Sequence, residues 1–226
     1  MTKKERKHKK KLQMYNKRLI KKYYFVAPRN VWTDQIPKDY DYTYINWGWC
    51  KGWDKTFGMM YLKELGKVIK DNNIKNFRIL EQKEKYGEAR NYVNCYTDEI
   101  DNIITKYEHI SRNICMRCGC ETPTIDDGWV QPICFDCYKK LYKRRLSFIT
   151  KKDYIPKTDE EIREMYNRYI VDEPDENGEY HILKSYTLIR YSKDNKEEIV
   201  YDISDTVEKI QKRIAGYKKG EDKWKT

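Results

Sequence analysis

Apolar residues recur at intervals of three and four along several stretches of this chain, and each such stretch predicts a helix with one buried face. The first covers residues 3–22, with Leu12, Tyr15, Leu19 and Tyr23 in register. Pro28 and Pro37 then bound an extended, aromatic-rich connector. It leads into NWGWCKGW, which sets Trp47, Trp49 and Trp53 within seven residues. A second helix is expected over about residues 56–70, presenting Leu62, Leu65, Val68 and Ile69 on one face.

The period then changes. NFRILEQKEKYGEARNYVNC predicts two strands around a turn at Tyr86-Gly87, with Phe77, Ile79 and Tyr92 pointing inward. TDEIDNIITKYEHISR returns to helical spacing. Thr97 is its N-cap, and Ile100, Ile103, Ile104, Tyr107 and Ile110 form its stripe. Further on, Thr158 and Glu161 make a capping box for a helix carrying Ile162, Met165, Tyr166, Tyr169 and Ile170. EYHILKSYTLIRY and EEIVYDI predict a hairpin closed near Asp194-Asn195, followed by a helix capped by Ser204 or Asp205 with Val207, Ile210 and Ile214 inward. No internal repeat is present.

Together with two CxxC pairs, Cys115/Cys118 and Cys134/Cys137, of zinc-site spacing, this succession predicts an α+β fold: a zinc-ribbon-like module packed with helices and a β-hairpin. The expected parts are a basic N-terminal helical arm (residues 1–24), a zinc-binding core (45–150) and a C-terminal helix–hairpin–helix lobe (153–226). The arm, on this reading, precedes every core element.

Composition narrows the class. With 39% hydrophobic and 37% charged residues in 226 positions, the chain can hold one mid-sized domain or two small ones and still bury a core. No apolar run reaches membrane-spanning length, and MTKKERKHKKK lacks the apolar segment of a secretion signal. The expected location is therefore the cytoplasm, a reducing compartment in which paired cysteines point to metal rather than to disulfides.

Charge is distributed unevenly. Residues 1–22 contain eleven bases and Glu5, a net +10 out of the chain's +11. A second basic run, residues 139–152, has seven bases and no acid, and residues 153–180 reverse it with ten acids against three bases. The 21 tyrosines are weak evidence by themselves, because Lys, Ile, Tyr and Asn codons are all AT-rich. Clustering is the informative part. It nominates Lys3, Lys4, Arg6, Lys7, Lys9, Lys10, Lys11, Lys17, Arg18, Lys139, Lys140, Lys143, Arg144 and Arg145 as phosphate contacts. Tyr15, Tyr23, Tyr24, Tyr138 and Tyr142 interleave with them and are candidates to stack on unpaired bases.

Five of the seven cysteines lie in CMRCGCETPTIDDGWVQPICFDC. Cys115, Cys118, Cys134 and Cys137 form C-x2-C-x15-C-x2-C, the spacing of two knuckles converging on one tetrahedral ion. Gly119 supplies the turn that a knuckle favours. Four thiolates leave no position for a metal-bound water, so the expected Zn2+ is structural. Cys120 and His109 are weaker alternative ligands, and Cys50 and Cys95 suit packing as small apolar residues.

Taken together, a tryptophan-led helix, Gln82-Lys83-Glu84-Lys85-Tyr86-Gly87 with Arg90 and Tyr92, an isoleucine-rich helix, CxxCG, Gly128-Trp129 and a closing CxxC resemble a family of zinc-binding proteins encoded by phages and bacterial genomes. The likeness covers about residues 53–137. That family usually has a second glycine where Glu88 stands and often a histidine where Cys137 stands. The resemblance implies a fold and a phage-like origin, and with it the host's cytoplasm as the location, without implying a reaction.

Two functions compete. The first is nucleic-acid binding, RNA ahead of DNA because no major-groove reading motif occurs. The second is a phage-encoded inhibitor that blocks a host nucleoprotein complex, such as a nucleic-acid-handling or CRISPR/defence complex, with the Trp47/Trp49/Trp53 cluster as an interface anchor or else simply as core. No catalytic residue is nominated. The three histidines, His8, His109 and His181, occupy no recognisable catalytic setting, and no Walker, HExxH or GxSxG motif is present. Glu81, Glu84 and Glu88 could form an acidic site only if the hairpin brought them together; Lys83, Lys85 and Arg90 beside them suggest a mixed, exposed face instead.

Overall fold

A computed structural model describes the chain except for residues 31, 34, 46, 47, 148–156, 172–186, 192–196, 203 and 219–226; the side chains of 145–147, 187–191, 197–202, 217 and 218 also lie outside the description. The architecture is α+β. Seven α-helical segments accompany three separate two-stranded antiparallel hairpins among the described residues.

Helix α1 (Lys3–Lys22) begins with a reciprocal capping box between Thr2 and Glu5, a device that contributes about 1 kcal/mol. Its C-terminal half does not project as a free arm. Asn16, Leu19 and Tyr23 are buried, and the chain continues through a 3-10 turn, Tyr24–Val26, that buries Phe25 and Val26. The expectation that the arm precedes every core element is thereby corrected: its last turn is core. The connector folds back on the helix, where Gln13 donates to the Asp41 carbonyl at 2.7 Å and Asn16 to that of Tyr42 at 2.8 Å.

The second helix starts earlier than its hydrophobic spacing predicts. It runs as α2 (Lys51–Trp53), a π-turn at Asp54–Gly58, and α3 (Met59–Asp71). The wider turn brings Trp53, Phe57 and Tyr61 inward together, all with no exposed surface. Leu62, Leu65 and Ile69 are buried as expected, and Val68 is half-buried.

Strands β1 (Ile79–Lys85) and β2 (Glu88–Val93) pair around Tyr86 and Gly87, at φ 52° and 79°. Two positive φ values define a turn that follows the strand twist and favours Asn-Gly. A tyrosine at the first position is held in the left-handed region at a cost of about 1 kcal/mol. A register shift between Ile79 and Glu81 changes which side of β1 faces in, so Ile79 rather than Leu80 stands inside opposite Val93. On β2, Ala89, Asn91 and Val93 alternate inward, and Tyr92 lies outside under the Lys83 ammonium. The expected inward Tyr92 is thus corrected; Phe77 and Ile79 are buried.

Helix α4 (Asp98–Ser111) is capped by Thr97, and all five residues of its stripe are buried. It leads to β3 (Thr124–Asp126) and β4 (Val130–Pro132), then α5 (Phe135–Ser147) and α6 (Asp159–Arg168), the latter with the Thr158–Glu161 capping box. Strands β5 (Thr187–Tyr191) and β6 (Glu197–Asp202) pair, and α7 (Ser204–Lys218) closes the fold. The turn expected at Asp194-Asn195 lies outside the described residues.

Apolar burial divides the molecule in two, but not at residue 153. The main core joins Leu19 and Phe25 to α2–α3, the β1–β2 hairpin, α4, and Val207, Ile210 and Ile214 of α7. A smaller core holds Cys115, Ile125, Ile133, Tyr138, Ile162 and Tyr166, so α6 packs on the cysteine module. The charge reversal near residue 153 is instead a facing pair of helices: Lys139 and Lys143 of α5 reach Asp159 of α6 at 3.0 and 2.8 Å.

One ion pair ties α3, α4 and α7. The Lys106 side chain is fully buried against the Glu64 carboxylate, the Tyr107 hydroxyl donates to the same carboxylate at 3.0 Å, and the Thr206 hydroxyl lies 3.5 Å from the ammonium. Removing one partner of a buried pair costs about 3–5 kcal/mol. Because Glu64 is 32% exposed, water offsets part of that loss. Glu64→Gln should therefore lower the unfolding free energy by about 3 kcal/mol in urea titration at unchanged m-value. A loss below about 0.5 kcal/mol, the range of ordinary surface changes, would show that the charge is dispensable.

Candidate metal centre

The first knuckle is built by backbone closure. Cys115 N donates to the Cys120 carbonyl at 2.7 Å, Gly119 N donates to the Cys115 carbonyl at 2.9 Å, and Gly119 takes φ 82°, which L-residues avoid. Met116 N donates to the Pro132 carbonyl at 2.9 Å, pinning this loop to the end of β4. The second pair flanks the start of α5, whose N-terminal amides favour thiolate.

These turns bring the sulfurs of Cys115, Cys118, Cys134 and Cys137 within 4.8 Å of one another. Thiolates about 2.3 Å from a tetrahedral ion stand roughly 3.8 Å apart. The Cys118 and Cys134 sulfurs, at 3.6 Å, already match that spacing. Crowding sets the thiols against each other. Hydrogen bonds from Cys118, Cys120 and Cys134 hold the Cys115 pKa far down, and contact with Cys115, then Cys118 and Cys120, pushes Cys134 far up. Such a set ionises together only around a cation, so the four cysteines can hold a metal ion.

Cys120 stands beside this set, its sulfur 3.3 Å from that of Cys118. His109 sits on the last turn of α4 and is not among the converging groups. Cys50 and Cys95 are half-buried and pack against the main core, as their sequence setting suggests.

The module is anchored from outside by residues that spacing alone does not single out. Gly52 N donates to the Met116 carbonyl at 2.9 Å, and a Cβ on Gly52 would lie 2.0 Å from the Cys115 carbonyl oxygen. The buried Thr56 hydroxyl lies 2.8 Å from the Gly52 carbonyl and 2.9 Å from that of Gly119. The Trp53 indole donates to the Ile114 carbonyl at 2.7 Å. The KGW triplet is therefore the seat of the first knuckle. Trp53 is core, Trp49 is half-buried against Phe57 and Tyr61, and Trp47 lies outside the described residues.

The nominated phosphate contacts fall into two groups. Lys3, Lys4, Arg6, Lys7, Lys10, Lys11, Lys17 and Arg18 are exposed on α1. Lys9 pairs with Asp41 at 2.9 Å, and Lys17 also lies over the Tyr42 ring. On α5, Lys140 and Arg144 are exposed, Lys139 and Lys143 are engaged by Asp159, and the Arg145 side chain is outside the description. Tyr15 and Tyr24 are accessible for stacking, whereas Tyr23 and Tyr138 are buried and withdrawn from that role.

The three glutamates do not converge. Glu81 is exposed and pairs with Lys83 at 2.8 Å, while Glu84 faces the other side of β1 and accepts the Gly87 amide at 2.7 Å. Glu88 is buried between Arg90 and Arg112, and Arg90 reaches Glu108 at 2.8 Å. Burial pushes the Glu108 carboxyl above its usual range. This network fastens the hairpin to α4.

Among the described residues no helix is long and apolar enough to cross a membrane. No family model, no curated protein and no solved structure matches the chain.

Proposed function

We propose that this chain is a zinc-stapled nucleic-acid-binding protein of the accessory kind that phages encode, with RNA favoured, acting by binding rather than catalysis. The observation that carries the proposal is the form of α1. Its bases sit on a capped helix whose last turn is locked into the main core, so they are displayed at fixed spacing rather than on a loose tail. A rigid cationic ladder loses little order on meeting a phosphate backbone, and releases counterions when it does. Tyr15 and Tyr24 on the same segment are accessible to stack on unpaired bases, which favours single-stranded RNA. Zinc suits four thiolates in two knuckles, and full thiolate coordination makes its role structural.

Because Leu19 and Tyr23 are core, the test substitutes charge instead of deleting the helix. Lys3, Lys4, Lys7, Lys10 and Lys11 changed together to Gln keep helix propensity and touch no buried residue. Anisotropy titrations of the full chain with single-stranded RNA across a salt series should show weaker binding. The log–log salt slope should shrink by about 0.7 for each phosphate that is no longer neutralised. Unchanged affinity and slope would overturn the proposal.

A further inference from the structure

The two hairpin tips next to the cysteine module abut. A Cβ on Gly87 would lie 3.3 Å from Val130 Cγ1 and 3.4 Å from Pro132 Cδ, so the β1–β2 turn rests directly on β4. Between the tips runs a groove of about 410 Å³ lined by Glu84, Lys85, Tyr86, Asp126, Trp129 and Val130. Tyr86 and Trp129 leave 72% and 61% of their surface exposed there. Neither aromatic is needed by the core. Tyr86 occupies a left-handed turn position that asparagine would fill more easily, an outlier of the sort that clusters at functional sites.

The polar lining is set for one sign of charge. Glu84 is fixed through one oxygen by the Gly87 amide at 2.7 Å, and Asp126 by the Gly128 amide at 3.0 Å, so each can accept a ligand through its other oxygen. Lys85 is the single base of the lining, and its ammonium lies 5.4 Å from the Tyr86 ring centre. Two preorganised carboxylates beside two aromatic faces attract a cation and repel phosphate, on a chain whose net charge is +11.

We propose that this groove docks a lysine or arginine side chain from an extended basic segment of a partner protein. The cation lies between the Tyr86 and Trp129 rings and pairs with Glu84 and Asp126. The site is independent of the phosphate contacts of α1 and stands or falls separately from them.

The test selects a randomised dodecapeptide library against the full chain, then measures selected peptides by titration. Enriched peptides should carry Lys or Arg, and changing that residue to Gln should abolish binding. Trp129→Ala, and separately Glu84→Gln with Asp126→Asn, should each weaken binding by about five- to thirtyfold. The amide replacements still accept from the turn amides, so the tips keep their shape. Tyr86→Asn should weaken binding while raising Tm by about 2–4 °C, which separates lost recognition from lost folding. Enrichment of acidic or uncharged peptides, no enrichment, or equal binding to the Trp129→Ala chain would overturn the proposal. So would hexauridine RNA whose affinity falls in Trp129→Ala and rises when the two carboxylates are neutralised, since the groove would then serve nucleic acid.

Discussion

Cys115→Ser should release the bound metal and unfold the module around it. Cys115 is the buried ligand, and its backbone closes the first knuckle in both directions, onto the Cys120 carbonyl and from the Gly119 amide. Among the described residues the apolar support nearby is thin: six buried residues, ringed by half-buried ones of α5 and α6, and a pair of three-residue strands. An assembly of that size does not hold itself together. Were the ion the proposed Zn2+, it would contribute roughly 10 kcal/mol or more of apparent binding energy, which in so small a module is folding energy. Metal analysis of the purified wild type should find about one equivalent per chain, falling toward zero in the variant. Loss of protection in amide exchange over residues 114–142 should accompany it. A metal-free variant with wild-type protection would show that the small core suffices.

Gly52→Ala should be nearly as damaging, although it changes neither a ligand nor the apolar content. The added methyl would sit 2.0 Å from the Cys115 carbonyl oxygen and 2.8 Å from the Gly119 amide nitrogen, both backbone atoms that cannot rotate away. The start of α2 or the first knuckle must move, breaking the Gly52–Met116 hydrogen bond and the Thr56 contacts. Overpacking costs about 1–3 kcal/mol, occasionally more, and the loss here is expected at or above the top of that range. Competition with a chromophoric chelator should register weaker metal retention alongside a lower denaturation midpoint. Retention and midpoint both equal to wild type would mean that the knuckle and helix separate freely.

Periodicity reports one face of one element, and that is where the sequence was legible. The α4 stripe, the capping box at Thr158 and the two knuckles are local patterns, each set by residues three or four apart. The same logic overlooked Thr2-x-x-Glu5, an equally readable cap. Other features depend on partners far along the chain. The register shift after Ile79 flips the inward side of β1, turning Leu80 outward and Gln82 and Glu84 inward, which a strict period of two cannot register. The π-turn at Asp54–Gly58 breaks the 3.6 spacing, so periodicity puts the helix start at residue 56 when the helix begins at Lys51. Gly52 carries no side chain to signal its contact with the first knuckle. Residues 139–180 resemble a boundary because basic and acidic stretches adjoin, yet Lys139 and Lys143 of α5 face Asp159 of α6.

The closure of the main core by α7 has a consequence for how the protein is made. Leu19 and Ile214 belong to one apolar cluster, while the cysteine module is completed by α6, well before α7 has been synthesised. During translation the module can take up metal and fold, but α3, α4 and the β1–β2 hairpin must wait on the ribosome with part of their apolar surface uncovered. High contact order slows that last step and prolongs exposure to aggregation. Truncation before Ser204 should thus harm solubility more than its distance from the metal suggests, because the nascent chain stays in its waiting state permanently.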